Sequence, residues 1–242
     1  ARPEYRERAP MRYYDIIEDD LIVGNPALRQ SVIRNADVRW EWYPASGELI
    51  SIGAFAKRFD LPIERVYLAS AGAQTLSFLN ADGATNAGLE VEVRQSLGRL
   101  ADVLDPFSVS LNATWMRSRI TVDNSTRSAL TNHERPMYGQ APYVYNLGLS
   151  YATASGRFAA TTVYNRVGKR VTAAGVNGTP DNYEMPRNAL DLSLRFPIVG
   201  SLFGSFDAKN ILDDRFESRS GPIVRERYFS GRVLSAGVSW KP

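Results

Sequence analysis

The chain has 242 residues, with 29 Lys and Arg against 26 Asp and Glu, and no cysteine. Disulfides and thiolate metal sites are therefore excluded, and a net charge of +3 with the two signs interspersed gives no nucleic-acid patch. No apolar run approaches the roughly 20 residues of a membrane-spanning helix, a test that barrel strands escape because only alternate residues face lipid.

In chain order, the alternation predicts about nine strands, near 30–43, 48–68, 75–97, 107–122, 140–152, 157–170, 186–197, 200–212 and 230–240, with residues 1–5 offering a tenth. In the first, Val38, Trp40 and Trp42 alternate with Asp37, Arg39 and Glu41. The next two are long enough to project beyond a bilayer, and Pro62 and Gly83 interrupt them as bends or bulges. In the third, Leu89, Val91 and Val93 alternate with Glu90, Glu92 and Arg94. Phe107, Val109, Leu111, Ala113 and Trp115 alternate with Ser108, Ser110, Asn112 and Thr114. Tyr143, Tyr145, Leu147, Leu149 and Tyr151 alternate chiefly with Asn146, Gly148 and Ser150. Leu190, Leu192, Leu194 and Phe196 alternate with Asp191, Ser193 and Arg195. Segment 200–209 is weaker, because Phe203 breaks its polar side. In the last strand Leu234, Ala236, Val238 and Trp240 are apolar and the residues between them small or polar. No sustained helical period, domain boundary or low-complexity segment is present.

A soluble sandwich also alternates, but two features favour a membrane wall. The apolar faces begin or end on aromatics: Trp42, Phe107, Tyr151, Phe158, Phe196 and Trp240. Lipid-facing strands carry such girdles at both interfaces. Phe107 and Trp115 lie roughly 19 Å apart in depth at about 3.3 Å per residue and a tilt near 45°, compatible with the apolar band. The connections also sort by length. Pro44–Gly47, Ala152–Gly156 and Pro197–Gly200 are short, Arg99–Pro106 is intermediate, and Asp123–Gly139, Thr172–Tyr183 and Asp213–Ser230 are long and polar. Short periplasmic turns and long outer loops are the barrel pattern, and they place the listed aromatics and the end of the last strand near the periplasm.

Several stretches resemble the C-terminal part of TonB-dependent outer-membrane receptors. They are Arg2-Pro-Glu-Tyr-Arg-Glu with Gly24-Asn-Pro-Ala-Leu28, Leu49–Lys57, Asn86-Ala-Gly-Leu-Glu-Val-Glu92, Ala208-Lys-Asn-Ile-Leu-Asp213, and the terminal Gly231-Arg-x-x-x-x-Gly-x-x-Trp240. Their shared order covers nearly the whole chain. The resemblance implies an all-β antiparallel transmembrane barrel of about 22 strands with an N-terminal plug, of which residues 1–242 supply the C-terminal 9–10. The plug and N-terminal strands are expected upstream of Ala1. It further implies TonB-energised import of a scarce nutrient of unnamed chemistry, in the cell outer membrane. Expected partners are lipid and lipopolysaccharide, the TonB complex through the N-terminal part, the remaining strands and plug, and a small solute; no nucleic acid is expected. Such barrels usually end in Phe or Trp. Here Trp240 is in phase while Pro242 holds the last place, so either Trp240 is the anchor or the native chain continues.

The polar residues expected to face the lumen are Asp37, Arg39, Glu41, Glu90, Glu92, Arg94, Asn112, Asn146, Asp191 and Arg195, either contacting plug and solute or pairing across strands along the inner wall. His133 is the only histidine and lies in a polar loop without a second imidazole or thiol, so it reads as an ordinary loop residue. No cofactor, metal or catalytic group is expected. Asn124-Ser-Thr reads as a chance sequon, and Asn177-Gly178 and Asp82-Gly83 as turns or bends. The arginine-rich stretch Arg215–Arg227 reads as a solvated loop, or one that meets lipopolysaccharide or ligand. Two rival readings remain open: a structural subunit of a larger envelope assembly, or a small self-contained outer-membrane porin or enzyme.

Overall fold

The computed structural model describes residues 1–16, 20–68, 75–122 and 130–240. A single helical turn, α1 (Tyr5–Arg8), precedes eighteen strands among these residues. They are β1 (Arg12–Asp15), β2 (Asp20–Val23), β3 (Val32–Trp42), β4 (Leu49–Asp60), β5 (Ile63–Leu68), β6 (Thr75–Asn80), β7 (Gly83–Ser96), β8 (Phe107–Thr121), β9 (Glu134–Arg135), β10 (Tyr143–Ala152), β11 (Ala159–Val167), β12 (Arg170–Ala173), β13 (Asn182–Glu184), β14 (Arg187–Val199), β15 (Leu202–Lys209), β16 (Phe216–Ser220), β17 (Ile223–Tyr228) and β18 (Val233–Trp240).

Nine of them form one antiparallel wall in the order β18-β15-β14-β11-β10-β8-β7-β4-β3, with β9 added beside β8. These are the nine strands expected from the alternation. The expected tenth over residues 1–5 is absent: Ala1–Glu4 are outside any strand and Tyr5 begins the helical turn, where the Glu4 and Glu7 side chains cap each other's backbone. That reciprocal bonding satisfies local donors which a strand would have offered to a neighbour.

The period of two carries straight through the register. Trp42, Ile50, Val93, Leu111, Leu147, Tyr164 and Leu190 lie opposite one another across seven strands. One residue away, Glu41, Ser51, Glu92, Asn112, Asn146 and Asn165 make the parallel polar row. The apolar face is uncovered across the interior strands of the wall as well as at its edges: Ile52, Leu89, Trp115 and Leu147 are 52%, 53%, 44% and 46% exposed. A continuous apolar sheet face of this extent, turned outward, is untenable in water and is what lipid requires.

The two long strands break where the sequence marked bends, but the break is deeper than a bulge. At Leu61 the backbone is left-handed (φ 55°) and Pro62 follows without an N–H. The corner is held by Ser31 Oγ donating to Leu61 O at 2.7 Å, Asn80 Nδ2 donating to the same oxygen at 2.9 Å, and Ala81 N donating to Pro62 O at 2.8 Å. Beyond it, β5 and β6 leave the wall and join β2 and β1 in a separate sheet of order β1-β2-β6-β5. In that sheet β2 and β6 run parallel. A third sheet, β12-β13-β16-β17, grows from two of the long loops.

Well-buried apolar packing concentrates in this outer cap. Ile22, Val66, Leu76 and Phe78 meet Ile120, Val122, Leu130, Met137 and Ala173 in one cluster. A bridge between Val66 and Ala174 joins the β5 edge to the segment after β12. The cap lies at the end of the wall with the long connections. The opposite end carries short turns, including Thr153 to Phe158 and Gly200 at φ 54°.

Candidate functional site: polar wall face and outer cap

All ten residues expected on the polar face sit on strands of the wall, opposite the apolar rows. Four of them come together. Arg39 donates to Glu41 at 2.6 Å and to Glu92 at 2.9 Å, and Arg94 pairs with Glu92 at 3.2 Å. Arg39 reaches Glu92 across the whole width of β4 because the residues facing it there are Gly53 and Ser51. Tyr43 OH donates to the second Glu41 oxygen and extends the chain. Asn112 and Asn146 are opposite each other, and Asn165 donates to Asn146 at 2.6 Å.

The remaining four are apart from this network. Asp191 accepts the Asn210 N–H at 2.8 Å and so fixes the turn at the end of β15, where Asn210 is left-handed. Arg195 lies over the Phe203 ring at 4.8 Å. That contact, with Arg157 at 5.6 Å on the same ring, explains the Phe on the polar side of β15. Asp37 faces Phe55, and Glu90 faces Gly53 and Thr114.

On the apolar face the expected aromatics converge at the short-turn end. Phe107, Tyr151 and Phe158 stack edge to face, with centroids 5.0 and 5.8 Å apart. Trp42, Phe196 and Trp240 are exposed along the same end. A second aromatic group, whose members the sequence named singly without joining them, lies toward the cap. Trp115 Nε1 donates to Tyr145 OH at 2.7 Å, and Tyr143 stacks on Tyr145 at 5.0 Å. The three are apolar-phase residues, Tyr143 and Tyr145 at the start of β10 and Trp115 opposite Tyr143 in the middle of β8.

The cap holds two charged centres that sequence patterning does not pair. Glu64 on β5 and Arg135 on β9 form a buried ion pair at 3.0 Å, 1% and 2% exposed respectively. The Tyr138 N–H also reaches Glu64, at 3.3 Å, and Arg135 Nη1 donates to Pro136 O at 3.0 Å. Burial pushes the Glu64 carboxyl up, against the pull of Arg135. Arg135 Nε and Nη2 are buried without a hydrogen-bond partner. Nearby Asp181 takes the Gly175 N–H at 2.8 Å and the Asn132 amide at 2.7 Å.

The second centre is Glu217 on β16, itself buried, ringed by Arg215, Arg219 and Arg227. Arg227 contacts it at 2.9 Å and Arg215 at 3.4 Å. Hydrogen bonds from Arg219 and then Arg227 hold the Glu217 carboxyl below the usual range. Three guanidiniums thus surround one buried carboxylate, their outer N–H groups turned to the exposed side. The arginine-rich stretch folds as a hairpin, with Phe216 stacked on Tyr228 at 4.7 Å, and its second strand β17 stays exposed along its whole length. Asn177 and Gly178 form a turn with both φ positive, as their sequence suggested. His133 lies between β8 and β9, where its carbonyl accepts the Val122 N–H. Asn124 and Pro242 fall outside the described residues.

Residues 6–211 match the sequence profile described as TonB dependent receptor-like, beta-barrel. No curated protein matches the chain. Among solved structures, a double mutant of the ferric enterobactin receptor PfeA from Pseudomonas aeruginosa is similar at TM-score 0.60 and 16% identity, over 98% of this chain and 36% of that one. The siderophore receptor PirA from Acinetobacter baumannii gives 0.57 and 14%, over 91% and 33%. The FrpB iron transporter from Neisseria meningitidis gives 0.55 and 11%, over 91% and 33%. The chain thus spans about a third of the length of these receptors.

Proposed function

We propose, for a chain that belongs to the TonB-dependent receptor β-barrel family, that it is the C-terminal part of an outer-membrane receptor importing a scarce, anionic nutrient chelate by TonB-energised gating. Outer-membrane nutrient uptake is the family's role. The solute class and the energy source are the proposal. Ferric chelates are the first class to test, given what the similar structures are named for.

The observation that carries the reading is the asymmetry of the wall. One face is apolar and exposed, the other is polar and ion-paired, and the cap above it presents arginines in excess of their carboxylate. The residues Arg39, Glu41, Glu92 and Arg94 then line a lumen, where they brace the inner wall and meet a plug. In this reading further strands and a plug close the lumen. Open β3 and β18 edges in lipid would leave backbone donors and acceptors unpaired, so further strands complete the barrel. The outer face contacts outer-membrane lipid, lipopolysaccharide included. The protein acts by binding and conformational change and performs no covalent step.

The test is uptake of a radiolabelled ferric chelate by cells expressing the receptor that contains this chain, with and without functional TonB. Saturable uptake that disappears without TonB is expected. Uptake that persists without TonB would refute the energised step. Equal uptake by Arg219→Gln/Arg227→Gln cells would refute the anionic-solute assignment.

A further inference from the structure

On the apolar face of β3, β4, β7 and β8, just beyond the Trp115 level, the side chains change abruptly. The next row toward the cap is Ala36, Ala56, Ala87 and Arg117. The row after that is Arg34, Arg58, Thr85 and Arg119. Three alanines thus form a floor with only methyl groups above the backbone. Arginines overhang it on two sides, and the Val38–Ala54–Leu89–Trp115 row falls away below it. All four arginines are exposed. Asp60 pairs with Arg34 at 2.8 Å and lies 3.8 Å from Arg58, and Glu134 pairs with Arg119. Four guanidiniums therefore stand against two carboxylates. Arg117 has no ion-pair partner among the described residues.

Depth fixes what reaches this shelf. One two-residue step along a tilted strand rises about 5 Å. The headgroup layer is about 5–8 Å thick on each side of the hydrocarbon core. If Trp115 and Tyr145 mark the interface, Arg117 lies within the headgroups and the Arg34–Arg58–Arg119 row just above them, within reach of a guanidinium side chain.

We propose that this shelf binds a phosphate group of lipopolysaccharide, with the sugar over the alanine floor and acyl chains running down the apolar rows. Guanidinium groups suit phosphate because each donates two parallel hydrogen bonds. The unpaired charge and the methyl-only floor fit a phosphorylated saccharide better than a network of surface ion pairs, which needs neither. The inference rests on the outer-membrane reading and is independent of the transported solute.

Native mass spectrometry of the detergent-purified receptor containing this chain tests it. The probes are phosphorylated lipid A, its dephosphorylated form, and phosphatidylglycerol. Wild type should retain phosphorylated lipid A, and Arg58→Gln/Arg117→Gln/Arg119→Gln should retain about tenfold less or lower still. Arg117→Gln alone, expected to lose part of the binding, serves if the triple variant fails to reach the membrane. Equal retention by the variants, or equal retention of either control lipid, overturns the proposal. Solute uptake measured on the same variants separates the two readings. Loss of lipid with uptake intact supports the shelf, and a wild type that binds lipid A but takes up no solute refutes only the transport reading.

Discussion

The Glu64–Arg135 pair should behave as the latch of the outer cap. It ties β5, which has left the wall, to β9, which is still hydrogen-bonded to β8. Both groups are almost wholly buried, so removing one leaves the other charged and unpaired in a dry site. Such a loss costs about 3–5 kcal/mol. In Arg135→Met this cost should fall on the cap, because the wall is held by its own ladders. At 1.4 kcal/mol per tenfold, the open population of β5 and β6 rises about 10²-fold to a few thousandfold. Amide exchange of Val66 and Leu76, read by mass spectrometry on the receptor in detergent micelles, should accelerate by that factor, while exchange in β8 and β10 stays unchanged. Glu64→Gln/Arg135→Met, which removes both charges, should recover most of the loss. If Arg135→Met leaves cap exchange within about threefold of wild type, the latch is not where the cap's stability resides.

Three further outcomes follow from the geometry. Leu147→Arg, on the open apolar face, should destabilise the barrel by about 2–4 kcal/mol in refolding titrations, whereas Asn146→Arg on the polar face should cost little. A Cβ on Gly88 would stand 2.4 Å from the Trp115 carbonyl oxygen and 2.7 Å from the Phe55 ring, so Gly88→Val should lose about 1–3 kcal/mol and lower the level of assembled receptor in outer-membrane fractions. The Glu217 carboxyl is depressed, so its contribution to the β16–β17 hairpin is fully present above the ordinary value of 4.5 and is lost only as pH falls through the lowered one. Proteolysis of that hairpin should therefore be unchanged between pH 7 and 4.5 and increase below, a profile that Glu217→Gln abolishes.

The wall was legible because lipid on one side and polar surroundings on the other impose a period of two, and nine strands follow from it; the expected 48–68 and 75–97 overrun their wall strands, which end at Asp60 and begin at Gly83. The cap was not, for a physical reason. Residues 63–68 and 75–80 are as strand-forming as their parent strands, and although Glu64, Leu76 and Phe78 fall out of phase with the parent alternation, nothing local states where the chain turns away at Leu61 and Ala81. That turn depends on Ser31 and Asn80, which come from elsewhere in the chain. Likewise Glu64 carries no mark that its partner is Arg135, since their meeting is a product of tertiary packing. On the polar face the ion pairs were readable as a class, but the particular pair Arg39–Glu92 depends on Gly53 leaving room on the intervening strand. The aromatics at the short-turn end stood out because they flank turns. Trp115, Tyr143 and Tyr145 were seen one by one, and only register joins them.

The parallel contact between β2 and β6 also orders events in time. Every neighbour in the wall from β3 to β14 can form as each strand follows the last, by closing a hairpin or a single loop. Leu21 and Ile22 reach Thr75 and Leu76 only after β3 and β4 have been laid between them. Pairings with such long sequence separation carry the largest loop-closure cost and form slowly. On that cost alone, the β2–β6 contact that ties the cap together is expected to close after the wall strands between its partners have paired.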